Sequence, residues 1–152
     1  MHELPSLGWR ELVTLPDLGL RAIKAKIDTG ARTSALHVAW LEEFRRHGQP
    51  WVRFAVDTRR RKTQPTICEA LAIDRRAVTD SGGHTTERWF IRSTVGVANL
   101  HFEAEINLTN RGNMLFPLLL GRSALRGRFT VDSNLSYAHG RLRARTASAD
   151  PA

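Results

Sequence analysis

An all-β fold, a barrel or a sandwich, is what this sequence predicts, and three observations predict it. Short segments with a period of two recur, the cleanest being Leu100, Phe102, Ala104, Ile106 and Leu108 on one face of a strand. Turn formers punctuate them: Pro16-Asp17-Leu18-Gly19, Ser81-Gly82-Gly83-His84 and Gly96-Val97-Ala98-Asn99. Met114 to Leu120 is apolar without alternation, as a strand buried on both faces would be. The 152 residues suffice for one domain with a real core, and neither a repeat nor an internal linker divides them.

In order, residues 1–8 read as a loose leader carrying Pro5 and Gly8. Trp9 to Leu15 reads as a strand, the Pro16–Gly19 turn reverses it, and Leu20 to Ile27 returns. Ile23, Ala25 and Ile27 fall on one face of that return strand, with Lys24 and Lys26 on the other. Val38 to His47 has Trp40 and Phe44 at helical spacing and Gly48 as a stop, so a short helix or irregular structure is expected. Trp51 to Val56 and Thr66 to Ile73 read as strands, separated by the basic turn Arg59-Arg60-Arg61-Lys62. Arg88 to Val95 and Leu100 to Leu108 form a predicted hairpin. After the apolar run, Gly121 breaks the strand, Ser123 to Leu125 can make one helical turn, and Phe129 to Val131 reads as a last strand. From Arg141 the composition is that of a disordered basic tail, residues 141–152.

Bulk properties narrow the function classes. A formal charge of +8 suits a polyanionic partner, whether nucleic acid, acidic lipid or acidic polypeptide, or serves solubility alone. No apolar run approaches the roughly 18 residues of a membrane span, and Met1 to Pro5 does not read as a signal peptide. Cys68 is the only cysteine, so no intrachain disulfide forms and a reducing, cytoplasmic setting is expected.

Chemistry concentrates where the second strand ends, at Asp28-Thr29-Gly30-Ala31. Two such carboxylates about 3 Å apart cannot both ionise, so the pair holds one proton and titrates as a unit. The ionised member then takes a proton from water while the protonated one polarises a scissile carbonyl. Only one Asp-Thr-Gly is present, so such a dyad requires a two-fold dimer. The Thr29 hydroxyl can tie one loop to its twin, and Gly30 lets the backbone turn and approach a substrate. An ordinary strand-terminating turn is the plain alternative.

Two stretches carry a family resemblance. Asp28-Thr29-Gly30-Ala31 resembles the catalytic loop of retropepsins, and Leu119-Leu120-Gly121-Arg122-Ser123-Ala124-Leu125 their second apolar-apolar-Gly-Arg element. More closely, the run Lys24-Ala25-Lys26-Ile27-Asp28-Thr29-Gly30-Ala31-Arg32-Thr33-Ser34-Ala35-Leu36-His37 resembles the bacterial RimB-like retropepsin-like endopeptidases, long labelled ATP-dependent zinc proteases. Gly8-Trp9-Arg10-Glu11, Trp51-Val52-Arg53-Phe54 and Leu108-Thr109-Asn110-Arg111 extend the match, which runs from about Gly8 to Gly140.

The resemblance implies a closed barrel of the retropepsin-like acid protease type with one short helix, spanning 9–140. It implies Asp28 as catalytic acid, with Thr29 and Gly30 in the same loop and Gly121 and Arg122 supporting it from behind. It implies a functional link to RimK-type ATP-grasp ligases, which add glutamates to protein C-termini, and hence a peptidase acting on poly-glutamate. Ala31, Arg32, Arg59, Arg60 and Arg61 are the candidate substrate-binding residues, since guanidinium holds carboxylate bidentately. Arg32 departs from viral retropepsins, which carry an acid at that place to pair the downstream arginine; Arg122 therefore needs another partner. Candidate flaps are Ser81-Gly82-Gly83 and the 59–62 turn.

Other chemistries have weaker support. There is no His-Glu-x-x-His, and a zinc site would have to be assembled from His37, Cys68 and His84. There is no Gly-Lys-Ser/Thr phosphate loop, so no cofactor is expected, and Ser123 lacks the frame of a hydrolase elbow. The 59–62 turn reads as a solvated turn, an acidic-substrate clamp or a nucleic-acid contact, but no aromatic interleaving favours the last. A homodimeric aspartic peptidase of acidic chains is the leading expectation. A non-catalytic module that binds acidic polypeptide or a partner enzyme is the alternative, and a zinc hydrolase the remaining one.

Overall fold

Period-two burial closes the chain on itself. The computed structural model describes residues 3–58, 64–110 and 115–140. Twelve strands follow in order: β1 (Ser6–Leu7), β2 (Arg10–Leu15), β3 (Leu20–Ile27), β4 (Ser34–His37), β5 (Trp40–Arg46), β6 (Gln49–Val56), β7 (Thr66–Leu71), β8 (Asp74–Thr79), β9 (Thr85–Val97), β10 (Leu100–Thr109), β11 (Leu118–Leu120) and β12 (Thr130–Val131). The single α-helix among the described residues, α1 (Arg122–Leu125), has four residues and follows β11.

Six strands form a closed barrel in the order β10-β4-β11-β3-β2-β9, with β9 returning to β10, and β8 lies outside along β9. Val13, Leu15, Ile23, Leu36, Ile91, Val95, Ile106, Leu118 and Leu120 fill it with no measurable exposure. Each such side chain stabilises the fold by about 1.5–3 kcal/mol of burial. The barrel closes where β2 meets β9 at Thr14 and Gly96. A Cβ at Gly96 would collide with Thr14 Oγ1, so the glycine permits the close approach.

The strand β11 is the inner staple. It runs parallel to β3 (Leu118 beside Ala25) and antiparallel to β4 (Leu118 beside Leu36). Leu118 and Leu120 are buried and Leu119 on the other face is half-buried, which accounts for the apolar run, although the strand is shorter than the expected 114–120. Leu115 is 80% exposed, and the chain enters the barrel only after Pro117. Thr66–Ile73 likewise shortens to Thr66–Leu71.

The expected helix or irregular segment at 38–47 is instead the strand β5, paired with β6 from Trp40 beside Ala55 to Arg46 beside Gln49. Trp40 and Phe44 share a face in a strand as well as in a helix, because a separation of four satisfies both periods. The two-residue turn His47-Gly48 decides the matter: both φ are positive (53° and 76°), the hairpin geometry that matches strand twist. Ala98-Asn99 (54° and 64°) joins β9 to β10 in the same way, so the expected four-residue turn at 96–99 contracts to two residues. A separate sheet, β5-β6-β7, stands beside the barrel.

The expected loose leader is held from Ser6 onward. There β1 pairs in parallel with β12. Fully buried Glu11 accepts backbone N–H groups from Gly8 (2.7 Å), Ala138 (3.0 Å) and His139 (3.2 Å), tying both ends of the fold to β2. The Arg10 guanidinium lies between the rings of Trp9 (4.5 Å) and Tyr137 (4.7 Å). The basic turn at 59–62 and the tail from 141 lie outside the described residues, as does Met114.

Candidate functional site

Asp28 is the first residue beyond β3, at the barrel rim. Its N–H donates to Leu120 O (2.9 Å), which carries the pairing with β11 one residue further. The chain then turns: Ala31 N–H donates to Asp28 O (3.3 Å) and Gly30 N–H to Asp28 Oδ1 (2.9 Å). An aspartate that accepts the N–H two residues on makes its own turn, which fixes the direction of the carboxylate. The group is partly exposed, and no cation among the described residues pairs with it. Gly30 does not use a left-handed φ; what its missing side chain provides is space, since a Cβ would lie 3.2 Å from Asp28 Oδ1.

The loop is backed by the chain leaving β11. Gly121 packs so closely that a Cβ would sit 2.5 Å from Thr33 O and 2.8 Å from Ala31 O, both backbone atoms with no freedom to yield. Arg122 N–H donates to Ala31 O (2.8 Å) and Ser123 N–H to Arg32 O (3.1 Å), so the second element zips along the first. Arg122 Nη1 donates to Thr29 O at 3.0 Å. This is the partner that Arg122 requires in a chain with Arg32 in place of an acid: a carbonyl rather than a carboxylate. Thr29 is exposed at the loop tip, and Ala31 has both main-chain polar groups engaged inside the site.

A further layer lies behind and was not legible in the sequence. Buried Ser34 Oγ accepts Gly121 N–H (3.1 Å). Buried Asn107 on β10 donates from Nδ2 to Ser34 O (2.8 Å) and Thr33 Oγ1 (3.2 Å), and its Oδ1 accepts Arg88 Nη1 (2.9 Å). A satisfied network of this kind rigidifies what it touches. Its only sequence signal was polar residues on otherwise apolar strands, which an alternation pattern assigns to solvent.

Arg32 is exposed and borders, with Arg122, Ser123 and Arg126, an open depression of about 500 Å³ beside the loop. Arg126 was absent from the candidates. Arg59, Arg60 and Arg61 lie outside the described residues. Of the candidate flaps, Ser81–Gly83 is the tip of the β8–β9 hairpin, where Asp80 Oδ1 accepts N–H groups of Gly82 (2.9 Å) and His84 (3.0 Å).

Among the described residues no three of His, Cys, Asp and Glu come together as a metal site. Cys68 is buried under the β2–β3 turn, its thiol 3.4 Å from Leu18 O. Burial pushes that thiol up to about 11, so the free group stays protonated near neutral pH. No helix among the described residues is long and apolar enough to cross a membrane.

Comparison with known proteins agrees with this architecture. A family profile described as the retropepsin-like aspartic endopeptidase RimB matches residues 6–141. The curated relatives include proteins named probable alpha-L-glutamate ligase from Shewanella pealeana (36% identical over 88% of this chain), Desulfotalea psychrophila (35% over 90%) and Parasynechococcus marenigrum (37% over 90%). This chain spans only 30% of the length of those relatives. A solved structure from Legionella pneumophila, of a protein of unknown function, superposes with a TM-score of 0.74 at 29% identity, covering 88% of this chain and 97% of that one. With its closed barrel, its Asp-Thr-Gly loop and the Gly-Arg element zipped behind it, the chain belongs to the RimB-like family of retropepsin-like aspartic endopeptidases.

Proposed function

We propose that this protein is an aspartic-type peptidase that hydrolyses peptide bonds in glutamate-rich chains. The observation that carries the reading is the Asp28 carboxylate: partly exposed, without a cationic partner among the described residues, and aimed by a turn whose backbone is clamped from behind. Glu11, by contrast, is fully buried and has both carboxylate oxygens capped by backbone N–H groups.

In this reading two chains meet about a two-fold axis and bring their Asp28 groups together. The pair holds one proton; the ionised member activates water, and the protonated member polarises the carbonyl. The Thr29 hydroxyls brace the paired loops. Gly30 leaves room beside Asp28 Oδ1 for the attacking water or the carbonyl. Arg122 and Gly121 hold the loop against displacement as charge shifts. Placement to within about 1 Å matters in such a step.

The substrate class is supported by the relatives. A region similar to this chain makes up 30% of proteins named for glutamate ligation, which fits a protein that acts on the glutamate chains such ligases build. The same observation favours a second reading, a non-catalytic module that binds the growing chain for a ligase.

One substitution separates the two. Asp28→Asn is expected to lower hydrolysis of a poly-glutamate substrate by at least about a thousandfold while leaving the melting temperature near that of the parent protein. Specific activity is expected to fall on dilution as dimers dissociate. A mutant that cleaves as well as the parent protein overturns the peptidase reading.

A further inference from the structure

The depression beside the Asp28 loop carries more information than a solvated surface. Three arginines, Arg32, Arg122 and Arg126, line its volume of about 500 Å³, together with Ser123. None of the three pairs with a carboxylate among the described residues. Several arginines elsewhere are neutralised or stacked: Arg46 and Arg53 meet Glu69, Arg75 meets Glu43 and Glu87, Arg76 meets Asp74 and Glu105, and Arg10 and Arg128 lie over rings. Exposed Arg21 and Arg45 also meet no acid among the described residues, but neither borders this depression. Like charges gathered around one cavity repel each other, and among the described residues no carboxylate offsets them.

The backbone explains how the arginines are assembled. Ser123 N–H bonds to Arg32 O (3.1 Å), which joins the two stretches of chain. Arg126 N–H bonds to Arg122 O (2.9 Å), and residues one helical turn apart share a face. Arg122 uses Nη1 on Thr29 O, which leaves other N–H donors of its five for a ligand. One side chain thereby touches both the Asp28 loop and the depression.

We infer that the depression lined by Arg32, Arg122, Ser123 and Arg126 is a carboxylate-binding subsite, which seats an acidic side chain of a bound peptide beside the Asp28 loop. Arg32 and Arg126 are its specificity-determining residues. A guanidinium takes a carboxylate through two parallel N–H···O bonds, and a glutamine of the same shape offers no charge to match. The inference rests on the peptidase reading only for its purpose, because binding needs no turnover.

The experiment measures binding of fluorescein-labelled hexaglutamate and hexaglutamine to the Asp28→Asn protein by anisotropy. Inorganic phosphate at matched ionic strength serves as competitor. Hexaglutamate is expected to bind at least about tenfold more tightly than hexaglutamine, and phosphate to displace it poorly. Adding Arg32→Gln and Arg126→Gln together is expected to remove the difference with the melting temperature retained, since both side chains are exposed. The subsite is overturned if hexaglutamate does not bind, if the double substitution leaves its affinity unchanged, or if phosphate displaces it as readily as unlabelled hexaglutamate does. The two readings fail separately. If the protein with Asp28 intact cleaves nothing while the binding results hold, the subsite stands and the peptidase falls. If it cleaves while the Arg32→Gln/Arg126→Gln protein with Asp28 intact keeps its preference for glutamate over glutamine substrates, the peptidase stands and the subsite falls.

Discussion

Arginine is used in opposite ways in two regions of this molecule. On the β5-β6-β7 sheet, Arg53 donates to Glu69 (2.7 Å) and Glu42 (3.0 Å), and Arg46 to Glu69 (2.9 Å). Arg46 and Arg53 also lie against the Phe44 ring, and Arg46 covers Trp51 as well. Beside the Asp28 loop, Arg32 and Arg126 meet no acid among the described residues, and Arg122 meets only a carbonyl. The net charge of +8 is therefore a poor guide to where an anion would bind. Arginines already neutralised by glutamate offer little, whereas Arg32, Arg122 and Arg126 meet no acid among the described residues and border the candidate site together.

Charge reversal separates the two regions most directly. Arg126→Glu is expected to weaken hexaglutamate binding by more than about tenfold, whereas Arg46→Glu should change it less than about twofold. Anisotropy titrations of the two proteins decide this, and equal losses would erase the distinction between the regions.

A second difference is mechanical. The site is held by close-packed backbone, the outer sheet's arginines by exposed side chains. Gly121→Ala is expected to destabilise the fold by about 2–3 kcal/mol, because its Cβ meets backbone oxygens of Thr33 and Ala31. Asn107→Ala should cost about 2 kcal/mol, since it removes an acceptor of Arg88 and the donor to Ser34 O. Denaturant melts measure both. Arg53→Gln, at an exposed pair, should barely move the same melt.

The smallest expected effect is in pH. Hydrogen bonds from Arg53 and then Arg46 hold the Glu69 carboxyl below its usual range. A carboxyl whose folded pKa is depressed contributes stability that is present above its unfolded value and lost as pH falls through the folded one. Glu69→Gln should therefore flatten the acid side of the melting-temperature profile slightly and leave the neutral side alone. Thermal melts from neutral pH downward test it, and an unchanged acid limb would show that the pair is too solvated to matter.

Much of the fold was legible because alternation is a direct record of burial. The pattern of β3 located Ile23, Ala25 and Ile27 inside and placed Asp28 at the strand's end, and the hairpin of β9 and β10 followed from the same period. The strand β5 is not legible as one because a spacing of four fits two periods, and only pairing with β6 settles which applies. The network of Ser34, Asn107 and Arg88 was invisible because a buried polar side chain looks like a surface one until its partners are known.

By itself, the sequence determined the strand periods, the single Asp-Thr-Gly and its family signature, since each is written in residues adjacent along the chain. The fold adds which atoms do the holding, with Gly121 packed on the Thr33 and Ala31 carbonyls and Arg122 bonded to Thr29 O, and it brings Arg32 and Arg126 to one depression. Those relations join positions about ninety residues apart, and it is the closure of the barrel that brings them within bonding distance of each other.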